Sequence, residues 1–184
     1  QYSNTGYALL AIAIDRISGQ GFASFVSDQI FVPLGMEHSR IPGESALDVP
    51  GRAVSYTQGS VLFDLIVPAT GLSGQVSSIA DLKRWEIELR DGTLVSPESF
   101  DRIFTRHVQT NFDWGDCGYG YGWNICEIDG WPTYQDHTGE KLGYHTMITR
   151  IPHEELAIVM VSNGDYPWVY DLVFEHLVDL YLNG

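Results

Sequence analysis

Apolar positions dominate the start of the chain and follow a helical pattern there. Residues 6–18 are almost all apolar, Gly19 follows as a helix C-terminal signal, and Asn4 or Thr5 stands where an N-cap is expected. A helix that is apolar on every side is typical of a buried helix, so we expect burial here. Helical spacing also predicts a second helix over residues 21–31.

The middle of the chain carries fewer regular signals. Residues 34–70 are rich in Gly, Pro and Ser, which predicts an irregular segment of the kind that forms a binding surface or a lid. Ser78 and Asp81 have the spacing of a capping box and predict a helix over residues 78–90. A short helix is predicted from Ser96-Pro97-Glu98, where a capping residue precedes a proline and an acidic residue.

After Gly115 the pattern changes to the short apolar segments of strands, with Asp129-Gly130 as a hairpin signal. Connections this short indicate antiparallel pairing. The predicted strands are residues 121–128, 131–137, 144–151 and 156–162.

An amphipathic helix over residues 168–182 is predicted to close the chain. Its expected apolar face consists of Val169, Leu172, Val173, Leu177 and Leu180. Helices, then an antiparallel sheet, then a covering helix indicate an α+β fold. We expect one domain over residues 1–184, mainly helical or irregular to about residue 110 and built from strands and a helix from about 111.

Composition narrows the possible functions. The chain has 184 residues, 44% hydrophobic and 18% charged, which excludes intrinsic disorder. A net charge of −14 argues against binding to nucleic acid or anionic lipid. The longest apolar run, residues 8–14, is too short to span a bilayer. The two cysteines, Cys117 and Cys126, form no zinc or redox motif, and their spacing leaves open whether they pair.

Two short motifs could carry chemistry. Tyr2-Ser3-Asn4 stands before the first helix, where the positive end of the helix dipole would favour a phenolate that acts as general base. His137-Thr138-Gly139 ends a predicted strand, where a substrate backbone could pair with a sheet edge. Each motif taken alone is more often an ordinary turn or strand end.

Two other kinds of site are disfavoured. His137, His145 and His153 recur every eight residues, but such spacing does not bring side chains together and no familiar zinc pattern is completed, so we expect no metal and no cofactor. Asp113, Asp116 and Glu127 could suggest a glycosidase pair, but their Gly-rich surroundings are more typical of a loop. Tyr56 is a candidate for the mouth of a cleft.

Taken together, the two motifs resemble the serine β-lactamase and penicillin-binding-protein family, in its class C-like branch with esterases and D-aminopeptidases. The resemblance extends over most of residues 1–165 and includes residues 30–36, 73–82, 121–123 and 157–163. It implies a β-lactamase/transpeptidase-like fold, an antiparallel sheet flanked by helices, and acyl transfer through a serine.

The resemblance also implies roles for individual residues. Tyr2 corresponds to the general base and Asn4 to the residue that orients substrate. His137 corresponds to the cationic position of the third motif, with Thr138 and Gly139 on the substrate edge. The N–H of Glu140 corresponds to half of the oxyanion hole. The expected substrate is a small ester, amide or β-lactam.

One motif of the family is absent from this sequence. Neither lysine, Lys83 nor Lys141, has a serine three positions before it, so no Ser-x-x-Lys occurs. We therefore expect a C-terminal portion of a hydrolase that is inactive alone, or else a non-catalytic binding or assembly module that kept the fold. The portion should leave a sheet edge that a partner chain, a homodimer contact or a rearrangement covers. The family favours a periplasmic or secreted location.

Overall fold

A computed structural model describes residues 2–42, 49–57, 60–61, 71–112, 115–164 and 168–183 of the chain. These residues belong to two units. Unit 1 is formed by residues 1–53 and 63–97, and unit 2 by residues 54–62 and 98–184.

Unit 1 is helical. Helix α1 spans Asn4–Ser18, α2 spans Phe22–Val26 and continues as a π-helical turn over Ser27–Phe31, and α3 spans Ile79–Asp91. Both α1 and α3 end at a glycine in the left-handed conformation, Gly19 and Gly92, as their sequences predict. The core of unit 1 is an apolar cluster of Val26, Phe31, Met36 and neighbouring side chains that include Trp85.

The N-cap of α1 is Ser3, so the expectation of Asn4 or Thr5 is wrong by one or two residues. The Ser3 side chain accepts a hydrogen bond from the Gly6 N–H at 3.2 Å. This cap leaves the Asn4 side chain available for a different contact, which is described with the site below.

The apolar surface of α1 is largely exposed, which contradicts the expectation of a buried helix. Ala11 is buried, whereas Leu9 and Ile17 are 61% and 88% exposed. A nearly all-apolar sequence shows that every side of a helix could be buried. Actual burial also requires other parts of the protein to pack against each side. Among the described residues, such packing covers α1 around Ala11 and leaves its other sides exposed.

Asp81 connects α3 to the loop that follows α2. Its backbone N–H donates to Ser78 Oγ at 3.2 Å, which confirms Ser78 as the N-cap. Its buried carboxylate instead accepts from the His38 N–H at 2.8 Å and from Ser39 Oγ at 2.9 Å. The acid of the expected capping box therefore stabilises a tertiary contact.

Unit 2 contains an antiparallel sheet in which strand order equals chain order. Its strands are β3 Val108–Phe112, β4 Gly115–Tyr119, β5 Asn124–Glu127, β6 Tyr134–Lys141, β7 Tyr144–Ile151 and β8 Leu156–Ser162. A separate two-stranded ribbon joins β1 Tyr56–Thr57 to β2 Ser60–Val61. Helix α4 spans Pro97–Ile103 and α5 spans Trp168–Asn183.

The strands predicted at residues 144–151 and 156–162 are confirmed at the same bounds as β7 and β8. The sheet nevertheless begins earlier than predicted, because β3 and β4 precede the four expected strands. Both strands are polar or glycine-rich, so they lack the alternation that marks a half-buried strand. Tyr56, the candidate for a cleft mouth, lies in β1 and donates its N–H to the Asn163 carbonyl at 2.8 Å.

The core of unit 2 lies between the sheet and α5. A disulfide joins Cys117 of β4 to Cys126 of β5, directly opposite each other in the register, and both are fully buried. Phe174 of α5 stacks on Trp131, and Val178 is 2% exposed. Partly buried Phe174 and buried Val178 form the side of α5 that packs on the core. The predicted apolar face is therefore wrong, since Leu172, Val173, Leu177 and Leu180 are exposed. Apolar residues on every side of α5 make its periodicity uninformative.

Two carboxylates that a glycosidase interpretation would pair are bound to an arginine. Asp116 and Glu127 are direct neighbours across β4 and β5, and the Arg106 guanidinium lies 3.2 Å and 3.0 Å from their oxygen atoms. Like charges in such a pair destabilise a sheet, and the arginine offsets their repulsion. Asp113, the third candidate, lies outside the described residues.

Within the described residues, each helix taken singly falls short of the length and apolar content of a membrane span. The pair Asn4–Ser18 and Phe22–Phe31 meets those criteria jointly, with a bend of 83° between its members.

Candidate active site

Tyr2 and Asn4 contact each other at the entrance to α1. The Tyr2 hydroxyl donates a hydrogen bond to Asn4 Oδ1 at 3.1 Å, and the Tyr2 ring lies 5.7 Å from the ring of Tyr7 between centroids. The Ser3 cap holds the backbone between the two motif residues. Unit 1 therefore brings together the first and third residues of the Tyr-x-Asn motif, with the Tyr2 ring half-exposed.

The helix entrance does not favour a phenolate in the way that the sequence suggests. Burial raises the pKa of the Tyr2 phenol above its ordinary value, and the neighbouring Tyr7 raises this pKa further. Tyr2 is therefore a neutral phenol at pH 7. To accept a proton it requires a cationic group beside it.

His137, Thr138, Gly139 and Glu140 lie together on β6 in unit 2. In the described part of the chain β5 pairs with β6 only as far as Asp136, whereas β7 pairs with β6 from Gln135 to Lys141. From His137 onward β6 therefore presents one backbone edge away from β7. The side chains of Thr138 and Glu140 are exposed along this segment. Such an edge can accept an extended substrate backbone as an additional strand.

The structure requires glycine at residue 139, independently of its place in the motif. A Cβ atom at residue 139 would lie 2.6 Å from Oγ1 of Thr146, its partner on β7. The following turn has two residues, Leu142 and Gly143, and both have positive φ, at 44° and 79°. Proline has a fixed negative φ and could not adopt this conformation at residue 142. Leucine can adopt it, so this two-residue turn is compatible with leucine and not with proline.

The His137 side chain contacts Tyr119, which sequence reasoning did not assign to the site. The Tyr119 hydroxyl lies 3.1 Å from His137 Nε2, and the Thr138 carbonyl oxygen lies 2.7 Å from His137 Nδ1. Burial lowers the pKa of the His137 ring, against a smaller opposite effect of the Thr138 carbonyl. The ring is therefore neutral at pH 7, in contrast to the cation that the resemblance implies.

Asp136 precedes His137 and carries a perturbed carboxyl group. Burial raises its pKa to about 6, and a hydrogen bond with the Asn124 side chain opposes this rise. The native state then holds a proton that the unfolded chain releases between about pH 4 and pH 6. Stability should fall as the pH rises through this window and stay lowered above it.

Asp136→Asn should therefore raise the free energy of unfolding at pH 8 by about 2 to 3 kcal/mol, since one pKa unit is worth about 1.4 kcal/mol. The gain should shrink below pH 6 and vanish near pH 4. Urea unfolding across this pH range measures the effect. Asp129→Asn, in the exposed turn of the same hairpin, controls for net charge. A gain from Asp136→Asn of equal size at pH 4 and pH 8 would show that packing is responsible.

The three histidines of the metal hypothesis occupy different settings. His137 is on β6, His145 is buried on β7, and His153 lies in the exposed turn of 3-10 helix Pro152–Glu154. Among the residues that the structure describes, no three His, Cys, Asp or Glu side chains form a group able to hold a metal ion.

Comparison with known proteins gives a consistent family. The family model described as beta-lactamase matches residues 1–181. Penicillin-binding protein 4* of Bacillus subtilis is 29% identical over 92% of this chain, and a D-aminopeptidase of Gluconobacter oxydans is 29% identical over 88%. The chain spans 41% and 31% of the lengths of these two relatives.

Solved structures agree on the fold. An octameric penicillin-binding protein homologue from Pyrococcus abyssi has a TM-score of 0.81 and 26% identity, over 97% of this chain and 42% of that one. A D-amino acid amidase from Ochrobactrum anthropi, with a TM-score of 0.82 over 98% of this chain and 61% of its own, is only 20% identical and supports the fold alone. Because the family model covers nearly all of the sequence, this chain belongs to the beta-lactamase family.

Proposed function

We propose that this chain supplies the Tyr-x-Asn and His-x-Gly motifs of a serine hydrolase that forms and hydrolyses an acyl-enzyme. The observation that carries the proposal is the backbone edge of β6 from His137 onward, which only β7 pairs in the described part of the chain. The Tyr2–Asn4 hydrogen bond in unit 1 supports the same function.

In the proposed reaction the lysine of a Ser-x-x-Lys motif keeps Tyr2 as a phenolate, and a serine hydroxyl attacks the carbonyl carbon of the substrate while this phenolate takes its proton. Asn4 holds the Tyr2 hydroxyl, and the Glu140 N–H donates to the oxygen that becomes negative. Tyr2 returns the proton to the leaving group. Water then attacks the acyl-enzyme by the same proton route and releases the acid.

The serine must come from a polypeptide segment that this sequence does not contain, because it has no Ser-x-x-Lys. We propose that this chain alone is inactive and that such a segment packs against it. Two surfaces support this: the exposed apolar side of α1 and the edge strand β8, which is the last strand of the sheet in the described residues. A second copy of the chain is the other candidate for these surfaces, and the octameric homologue is a precedent for assembly.

The proposed substrate is a small ester, amide or β-lactam. Relatives named as penicillin-binding proteins, D-aminopeptidases and an unguisins hydrolase support this range. A neutral histidine in the third motif favours esters and amides, because it offers no positive charge to a substrate carboxylate.

We also propose an oxidising location, such as the periplasm or the exterior. The buried disulfide between Cys117 and Cys126 supports it, since disulfides persist in such compartments.

The test is hydrolysis by a polypeptide in which this chain is joined to a segment that carries Ser-x-x-Lys. Probes are p-nitrophenyl butyrate for an ester, D-alanine p-nitroanilide for an amide and nitrocefin for a β-lactam. We expect turnover of at least one probe by the joined polypeptide and none by this chain alone. Equal turnover by the joined polypeptide and by this chain alone would contradict the proposal that this chain lacks the nucleophile.

The alternative is a non-catalytic binding or assembly module. The absence of Ser-x-x-Lys from the sequence favours it. A joined polypeptide that folds but turns over none of the three probes would establish this alternative over the hydrolase.

A further inference from the structure

The His137 imidazole has an oxygen atom within hydrogen-bond distance of each of its ring nitrogens. Nδ1 lies 2.7 Å from the Thr138 carbonyl oxygen, and Nε2 lies 3.1 Å from the Tyr119 hydroxyl oxygen. A carbonyl oxygen only accepts hydrogen bonds, so Nδ1 carries a proton. In a neutral imidazole the other nitrogen is an acceptor, so the Tyr119 hydroxyl donates to Nε2.

We propose that Tyr119 is a positioning residue for His137. The Tyr119 hydroxyl fixes the His137 ring in the Nδ1–H tautomer and holds Nε2 as an acceptor. The consequence for catalysis rests on the proposed function. The tautomer itself is a property of this chain and can be measured without any activity.

The backbone on both sides of Tyr119 is fixed, which allows its side chain to orient another. The Tyr119 carbonyl accepts from the His107 N–H at 2.9 Å, and the Gly120 N–H donates to the Trp123 carbonyl at 2.8 Å. Tyr119 also pairs with Asn124, the first residue of β5. The backbone of Tyr119 is thus held at the end of β4, which fixes the point from which its side chain extends.

The contact joins two strands that are not neighbours. Strand β5 lies between β4 and β6, but its pairing with β6 stops at Asp136, one residue before His137. Tyr119 therefore reaches His137 past the end of β5, and the two rings meet edge to face with centroids 6.2 Å apart. The short β5 leaves the space in which a tyrosine can position the histidine of the motif.

The expected chemical effect is a neutral, directionally fixed imidazole beside the substrate edge. The buried setting lowers the pKa of His137 in agreement with this neutral state. A donor hydrogen bond to Nε2 also favours the neutral ring over the cation. His137 then contributes a fixed hydrogen-bonding pattern to the edge of β6 and no positive charge at pH 7.

The test is a long-range proton–nitrogen correlation spectrum of the histidine rings in this chain at pH 8, where Asp136 is also ionised. The His137 signal is assigned with His137→Gln. We expect a pyrrole-type shift at Nδ1 and a pyridine-type shift at Nε2. An Nε2–H tautomer at His137 in the unsubstituted chain would overturn the proposal.

Tyr119→Phe should change the Nε2 shift of His137 and admit the other tautomer. Tyr121→Phe is the matched control, because its hydroxyl lies 3.4 Å from Arg102 and its ring stacks on His107. This control should leave the His137 signals unchanged. An unchanged Nε2 shift in folded Tyr119→Phe would equally overturn the proposal.

In the joined, active polypeptide, Tyr119→Phe should lower kcat by up to about 100-fold with a smaller change in KM, since misplaced groups slow the reaction more than they weaken binding. A joined polypeptide without activity would defeat the proposed function and leave the tautomer result intact. An Nε2–H tautomer in an active polypeptide would defeat only the role of Tyr119.

Discussion

Replacement of Tyr2 with phenylalanine should lower kcat for hydrolysis by the joined polypeptide about 10²- to 10⁴-fold, the usual contribution of a general base. The change removes the hydroxyl that donates to Asn4 and keeps the ring that contacts Tyr7. KM should change little, because the lost group acts on the proton that moves in the transition state. Initial rates with p-nitrophenyl butyrate measure both constants.

Tyr7→Phe is the matched control, since it removes a hydroxyl from the neighbouring ring, which lies within α1. It should retain nearly full activity. The pH profile adds a second readout: because Tyr7 raises the pKa of Tyr2, Tyr7→Phe should move the ascending limb, along which the base loses its proton, toward lower pH. Full activity in Tyr2→Phe would rule out Tyr2 as the base.

Gly120→Ala should destabilise unit 2 by about 3 kcal/mol, at the upper end of the cost of overpacking. A Cβ atom here would overlap the Ile103 carbonyl oxygen and lie 3.1 Å from the Thr105 carbonyl oxygen. The Ile103 carbonyl cannot withdraw freely, because it accepts from the Tyr121 N–H at 2.9 Å. Urea unfolding monitored by circular dichroism measures the loss.

Gly122→Ala separates backbone strain from crowding. Gly122 has a φ of 85°, but a Cβ atom there would meet nothing within 4 Å. Its substitution should cost only about 1 to 2 kcal/mol, the penalty of a left-handed conformation. A loss at residue 120 no larger than at residue 122 would contradict the proposed overlap.

Much of the fold could be predicted from local signals. Ser78 and Gly92 mark the ends of α3 because capping depends on residues adjacent in sequence. Strands β7 and β8 were predicted at their observed bounds, since their apolar character is strong. Strand β3 was missed because pairing with a neighbour, and not its own polar sequence, makes it a strand. The prediction of the packed face of α5 was wrong for a similar reason, because tertiary packing determines that Phe174 and Val178 contact the core.

In the candidate site, too, local motifs could be recognised in the sequence and tertiary contacts could not. The motif residues were identified from their sequence spacing and the family resemblance, and their assignment to catalysis stays a prediction. Tyr119 was not, because it is eighteen residues from His137 and on a strand two positions away in the sheet. The charge of His137 and the pKa of Tyr2 also depend on burial, which sequence spacing does not report.

The coincidence of strand order and chain order in the main sheet has a kinetic consequence. Each strand pairs with the segment next to it in sequence, so the sheet forms through a series of short loop closures at small entropic cost. The hairpin of β6 and β7 needs only the Leu142–Gly143 turn to close. The segment that begins at His137 can therefore acquire its final conformation early in folding, before contacts between distant parts of the chain exist.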